Sequence, residues 1–221
     1  MKKYIALITL LITSVVQAQI TKNIGDFDSV KIFDKLTVKL IPAAETKVSI
    51  SGTRASEVEV INNNGQLKLR MPFPKLMAGN DIKIELHFKK IESIDASEGS
   101  YVSCDFQFKQ TLLTLNTKEG ATIKVELDTE KATIRAVSGG ILDLRGTTKS
   151  QAVTIASGGI LEGMDLISDQ ATINVSAGGK AEIHATTLVD AKVKAGGSIY
   201  IYGKPKQINQ ETILGGTIIE K

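Results

Sequence analysis

Apolar and polar residues alternate with a period of two through much of the chain. The pattern is plain in KVSISG, EVEV, QLKLRM, DIKIELHF and ATIKVEL, and it describes strands with one buried face. No stretch sustains a 3.6-residue apolar period. Val, Ile and Thr abound and tryptophan is absent, so the chain reads as all-β.

From about residue 91 the alternation is punctuated at regular intervals. AVSGGILDLRG is followed by IASGGILEGMD, VSAGGKAEIHA, VKAGGSIYIYG and ILGGTIIEK. Counting the last glycine of each break, Gly99, Gly120, Gly140, Gly159, Gly179, Gly197 and Gly216 stand 21, 20, 19, 20, 18 and 19 residues apart. An alternating strand precedes each break (TLLTL, ATIRA, AVTIA, ATINV, AKVKA) and another follows it (ATIKVEL, ILDLR, KAEIHA, SIYIY). A unit of this size cannot bury its own apolar face. Stacked copies can, each strand pairing in parallel with its counterpart about 4.8 Å away. The prediction is a single-stranded parallel β-helix, a right-handed β-solenoid of about seven rungs of 18–21 residues. Its glycines mark corners, where a sharp turn needs positive φ. A phosphate-binding loop is one special turn between a strand and a helix, and seven equivalent turns do not fit that description. No aspartate follows the glycine pairs, as a calcium-binding nonapeptide solenoid would require.

The repeat fixes a register. One inward column runs Val102, Ile123, Leu142, Leu161, Ala181, Ile199 and Ile218; a second runs Cys104, Val125, Leu144, Gly163, Ile183 and Ile201. Gly163 leaves a gap, which Met164 would fill if its strand bulges. Outward positions stack Lys124, Asp143, Glu162, Glu182 and Tyr200, with Glu126, Arg145, Met164, His184 and Tyr202 beside them.

Residues 19–90 lack the period and read as antiparallel strands, with a turn at Asn62–Gly65 (NNNG) and an irregular stretch from Pro72 to Asn80. They are expected to cap the solenoid, whose open end would otherwise be an unprotected strand edge. The carboxy-terminal edge, GGTIIEK, is a candidate surface for homo-oligomer pairing. Ahead of this domain, residues 1–18 form an expected signal peptide: Lys2 and Lys3, an apolar run from Tyr4 to Val16, then Val16-Gln17-Ala18 before a cleavage point at Gln19. That run is too short to span a bilayer, which needs about 20 residues. No cysteine follows the cleavage point, so no lipid anchor is expected. The domain plan is thus a leader over 1–18 and one domain over 19–221, with a cap over 19–90 and repeats over 91–221. The exported product would sit in the periplasm or at the cell surface, without an integral membrane segment.

Charge adds little. Lys and Arg number 27 and Asp and Glu 24, and the basic residues are scattered, so the sequence offers no nucleic-acid footprint. Cys104 is the single cysteine. An exported domain held by disulfides would have several, so packing holds this one. Cys104 alternates with Val102 and Phe106 and reads as an inward-facing thiol.

The opening FDSVKIFDKLTVKLIPAAETKVSISG, then GQLKLRM, then glycine turns ending in GGSIYIYGKPK resemble the putative auto-transporter adhesin head family, the GIN domain, a domain of unknown function abundant in Bacteroidota. The resemblance covers Gln19 to Lys221. Many family members carry Gly-Ser-Gly at the corners, where this chain has Ser-Gly-Gly or Ala-Gly-Gly. It implies a β-helical envelope or surface protein, and it carries no functional residues with it.

Chemistry is sparse. His87 and His184 share no motif, no Gly-x-Ser-x-Gly elbow occurs, and no Cys or His spacing suits a metal; no cofactor is expected. Asn174-Val175-Ser176 is formally a glycosylation sequon, but it falls within a strand. The register supplies the candidates. Asp143, Glu162 and Glu182 stack on one face with Arg145 beside them, which could serve a Ca²⁺ site, a polysaccharide-lyase-like groove or a solvated charged face. Tyr200 and Tyr202 alternate outward and could form a platform for a sugar ring or a protein partner. The favoured reading is a non-enzymatic envelope module presenting solenoid faces to a glycan or an envelope or surface protein. The alternative is a carbohydrate-active enzyme, a lyase or hydrolase, built on Asp143, Glu162, Glu182 and Arg145.

Overall fold

The computed structural model describes residues 19–221; the leader expected over residues 1–18 lies outside the described residues. Sixteen strands form one continuous sheet wound on itself, and no α-helix occurs among the described residues. The short strands come first: β1 (Ile20–Asn23), β2 (Ser29–Ile32), β3 (Thr37–Pro42), β4 (Lys47–Ser51), β5 (Glu59–Asn63), β6 (Gln66–Arg70), β7 (Lys83–Phe88) and β8 (Ser93–Ala96). Five long ones follow: β9 (Tyr101–Thr117), β10 (Thr122–Val137), β11 (Ile141–Ala156), β12 (Ile160–Ser176) and β13 (Lys180–Lys194). The chain closes with β14 (Ser198–Tyr202), β15 (Gln207–Ile213) and β16 (Thr217–Glu220).

Each long strand starts on a front face, just after a glycine corner, and bends onto a rear face. All neighbouring pairs from β9 to β13 are parallel, as are β13–β14, β13–β15 and β14–β16. The expected inward column is present residue by residue, from Val102 through Ile123, Leu142, Leu161, Ala181 and Ile199 to Ile218. Val102 to Ile199 are fully buried in it. The bend between faces is lined differently. Thr129 donates to Thr148 at 2.9 Å, Gln151 to Ser168 at 2.9 Å, and Ser168 to the His184 carbonyl at 2.8 Å. All four side chains are buried, and their hydroxyl and amide N–H groups bond to one another or to backbone carbonyls.

The glycine corners have a finer grammar than one residue per turn. At Ser138-Gly139-Gly140, Ser138 and Gly139 adopt left-handed backbone, at φ 49° and 74°, while Gly140 does not. Gly140 serves a different need. A Cβ there would lie 2.6 Å from the Thr117 carbonyl carbon of the preceding layer, so the third residue is small because the layers touch. In this register Gly99 and Gly120 correspond to Gly139, followed by Ser100 and Ala121. The spacing from Gly120 to its true counterpart, Gly139, is therefore 19 rather than 20 residues.

The amino-terminal section is more solenoid than its sequence suggests. Three pairings are antiparallel as expected: β1–β4, β4–β7 and β5–β6, the last closing on the turn at Asn64 and Gly65 (φ 51° and 83°). But β2 pairs in parallel with β6 and β8, and β3 pairs in parallel with β7 and β9. Residues 29–42 thus form a solenoid layer, wedged between the layer of β6 and β7 and the layer of β8 and β9. Parallel stacking begins long before residue 91, and its order in space is not its order in sequence. The antiparallel strands β4, β1 and β5 lie outside β7 and β6 and close that end.

Two of the register shifts move large apolar side chains to the outer surface. In β9 the register against β10 shifts between Ser103 and Gln107, and Phe106 turns outward, 55% exposed, while Cys104 remains buried. In β12 the register shifts between Gly163 and Ile167. Here Met164 does not fill the space left by Gly163. It is exposed, and Leu166 takes the buried position opposite Gly146. The bulge turns the longer side chain away and brings the next apolar residue inward.

Candidate functional site

The front-face ladder forms in the predicted register. Lys124 lies opposite Asp143, Asp143 opposite Glu162, Glu162 opposite Glu182, and Glu182 opposite Tyr200. Backbone pairing fixes these positions, because each residue sits at an outward step of a strand whose inward neighbours are locked in the core. The companion column is interrupted. Glu126 faces Arg145 and His184 faces Tyr202, but the β12 bulge removes Met164 from line, and His184 stands opposite Ile167. The His184 ring is held by its Nδ1, 3.1 Å from the Met164 carbonyl.

The carboxylates of the ladder are not left to repel one another. Asp143 is 2.6 Å from Lys124 Nζ and 3.6 Å from Arg145 Nε. Glu182 is 2.7 Å from Lys180 Nζ, and that hydrogen bond holds the Lys180 ammonium above the usual lysine range. Glu162, the middle carboxylate, is exposed between them. Among the described residues no group of three or more His, Cys, Asp or Glu side chains is placed to hold a metal ion. The ladder therefore presents three consecutive carboxylates, two of them engaged by flanking cations.

Tyr200 and Tyr202 lie on β14, both half-buried. The Tyr200 ring has two ammonium groups near it, Lys180 Nζ at 5.5 Å and Lys221 Nζ at 5.6 Å from its centroid. Both are within cation–π range. Sequence reading singled out the tyrosines but not these lysines. Lys180 belongs to the neighbouring layer through the Lys180–Ser198 pairing, a relation visible once the repeat is aligned. Lys221 comes back to Tyr200 after the last strand, and nothing local signals that.

Comparison with known proteins agrees with this architecture. The profile described as "putative auto-transporter adhesin, head GIN domain" matches residues 26–205. The chain belongs to this family. Among solved structures, a protein described as a putative adhesin from Bacteroides fragilis superposes with a TM-score of 0.85 at 18% identity, covering 94% of this chain and 98% of the other. A putative lipid binding protein from Parabacteroides distasonis gives 0.68 at 15% identity, with 91% and 96% covered. A putative adhesin from Parabacteroides merdae gives 0.65 at 13%, with 92% and 95% covered. These likenesses establish the shared GIN-type fold. No curated protein matches the chain. Among the described residues no helix is long and apolar enough to cross a membrane.

Proposed function

We propose that this GIN-domain protein is an exported, non-enzymatic binding module of the cell envelope that presents its front face to a glycan or surface-protein partner. The observation that carries the reading is the ladder from Lys124 to Tyr200, in which charged side chains and an aromatic ring recur at the strand spacing over five layers. A rigid row of this kind matches a repeating ligand, because each layer offers its side chain at a fixed interval. Membership in a family described as adhesin heads supports the same reading. The enzyme alternative draws no support from the ladder: Asp143 and Glu182, two of its proposed acids, are bound to Lys124 and Lys180.

Proteinase shaving of intact cells tests the location, with a periplasmic protein as control. Cleavage of this protein while the control survives places it outside, whereas survival of both until the outer membrane is opened overturns the surface reading. A glycan array then tests the face. Binding to an acidic or neutral repeat that falls at least tenfold in a Tyr200→Ser/Tyr202→Ser variant supports it, and unchanged binding sinks it.

A further inference from the structure

The bulge in β9 opens a second surface, separated from Tyr200 by the layers of β10 to β13. Gly99 and Gly120 are 21 residues apart, against 19 from Gly120 to Gly139, and the surplus is absorbed between Ser103 and Gln107. The bulge exposes Phe106 beside the buried Cys104 and Phe108. Phe88, at the end of β7, stacks on Phe108 with ring centroids 5.6 Å apart and an interplanar angle of 13°. With Pro42 these residues line a cleft of about 350 Å³, within the range of small-molecule sites.

The polar lining of the cleft is one-signed. Lys89, Lys90 and Lys109 border it, with Gln107 and Gln110, and no carboxylate lines it. Gln110 Nε2 already donates to the Ile91 and Leu112 carbonyls, and Gln107 Nε2 to Glu126. Lys89 and Lys90 are engaged only in exposed ion pairs, with Asp26 and Glu92, which a competing anion exchanges at little cost. Phenyl rings cannot satisfy the hydroxyls of a sugar, and the N–H donors of the side-chain amides are committed. What the site has to offer is aromatic surface and ammonium charge.

We propose that this cleft binds a single-chain amphipathic anion, a medium-length acyl carboxylate, with its chain against Phe106 and the Phe88–Phe108 stack and its carboxylate among Lys89, Lys90 and Lys109. The apolar chain removes the exposed face of Phe106 from water, and the head group meets charge of opposite sign. The inference is independent of the front-face ladder.

The test is calorimetry of the full described chain, residues 19–221, with decanoate below its micelle concentration, and with decanamide as the uncharged analogue. The expected results are one site per chain, binding at least tenfold weaker in Phe106→Ser, and binding several-fold weaker in Lys109→Gln and for decanamide. Both side chains are exposed, so unchanged melting temperatures are expected. Cys104, the single cysteine, lies in the cleft floor and reports occupancy in the unaltered protein: bound decanoate slows its labelling by a small thiol reagent. Absence of decanoate binding, equal affinity for decanamide, or labelling that decanoate does not slow each overturns the proposal. Cosedimentation with phosphatidylglycerol vesicles without binding of monomeric decanoate overturns it in favour of membrane docking.

Discussion

Gly159 lies against Ala136 of the preceding layer so closely that a Cβ on Gly159 would come 2.2 Å from the Ala136 carbonyl oxygen. Its neighbour Gly158 has nothing within 4 Å of such a Cβ but sits at φ 73°. The two glycines of one corner are thus required for different reasons. Gly158→Ala meets only the left-handed backbone penalty, about 1–2 kcal/mol. Gly159→Ala must push two layers apart, at a typical overpacking cost of about 1–3 kcal/mol or more. Urea unfolding of the two single variants is expected to rank Gly159→Ala as the more damaging, and the reverse order would refute this division of roles.

Asp95 stands half-buried on the rear face, and burial pushes its carboxyl above the usual aspartate range despite Lys118, Lys31 and Arg135 nearby, with Glu119 adding to the rise. The folded state therefore holds this proton more tightly than the unfolded state. Its contribution is fully present below the unfolded aspartate value and is lost as pH rises through the higher folded value. Asp95→Asn removes the penalty of burying the charge. The variant is expected to gain stability over the parent at pH 7 and to lose that advantage at pH 3. An equal difference at both pH values would show that the carboxyl's charge is not the cause.

Asp34 is 1% exposed and accepts hydrogen bonds from the backbone amides of Met71 at 2.9 Å and Met77 at 2.7 Å. It is the fastening of the irregular stretch between β6 and β7. Asp34→Ala leaves those donors without their acceptor, which costs on the order of 3 kcal/mol, and places alanine at φ 59°. Limited proteolysis is expected to cut the variant between Pro72 and Asn80 at conditions where the parent survives. Asp34→Asn, which keeps one acceptor and tolerates left-handed backbone, is expected to lose less.

Much of this arrangement was legible in the sequence, because a solenoid writes its register locally. Once Gly140, Gly159, Gly179 and Gly197 are aligned, the pairing of Asp143 with Glu162 and of Glu182 with Tyr200 follows by counting. Counting failed where the chain departs from one residue per step. Phe106 and Met164 were misplaced because a bulge can absorb its extra residues at any point along a strand, and alternation on either side stays intact. The layer at residues 29–42 was unreadable for a different reason. Its partners, β6 to β9, are remote in sequence, and parallel pairing at a distance leaves no turn or spacing to mark it. The cation pair around Tyr200 was half legible, since Lys180 follows from the repeat and Lys221 does not.

The displaced layer also sets a schedule for folding. Ser29–Pro42 is made early but rests on β6 and β7 on one side and on β8 and β9 on the other. A chain growing from its amino terminus cannot seat these residues until Cys104, the last of their β9 partners, has emerged. Winding then proceeds from Tyr101 onward, one layer upon the last, like courses of brick on a foundation whose middle stone was cut first and set late. The early segment gains partners on one side once β6 and β7 emerge, but its other side stays open through some sixty residues of synthesis, and closing contacts so distant in sequence is intrinsically slow.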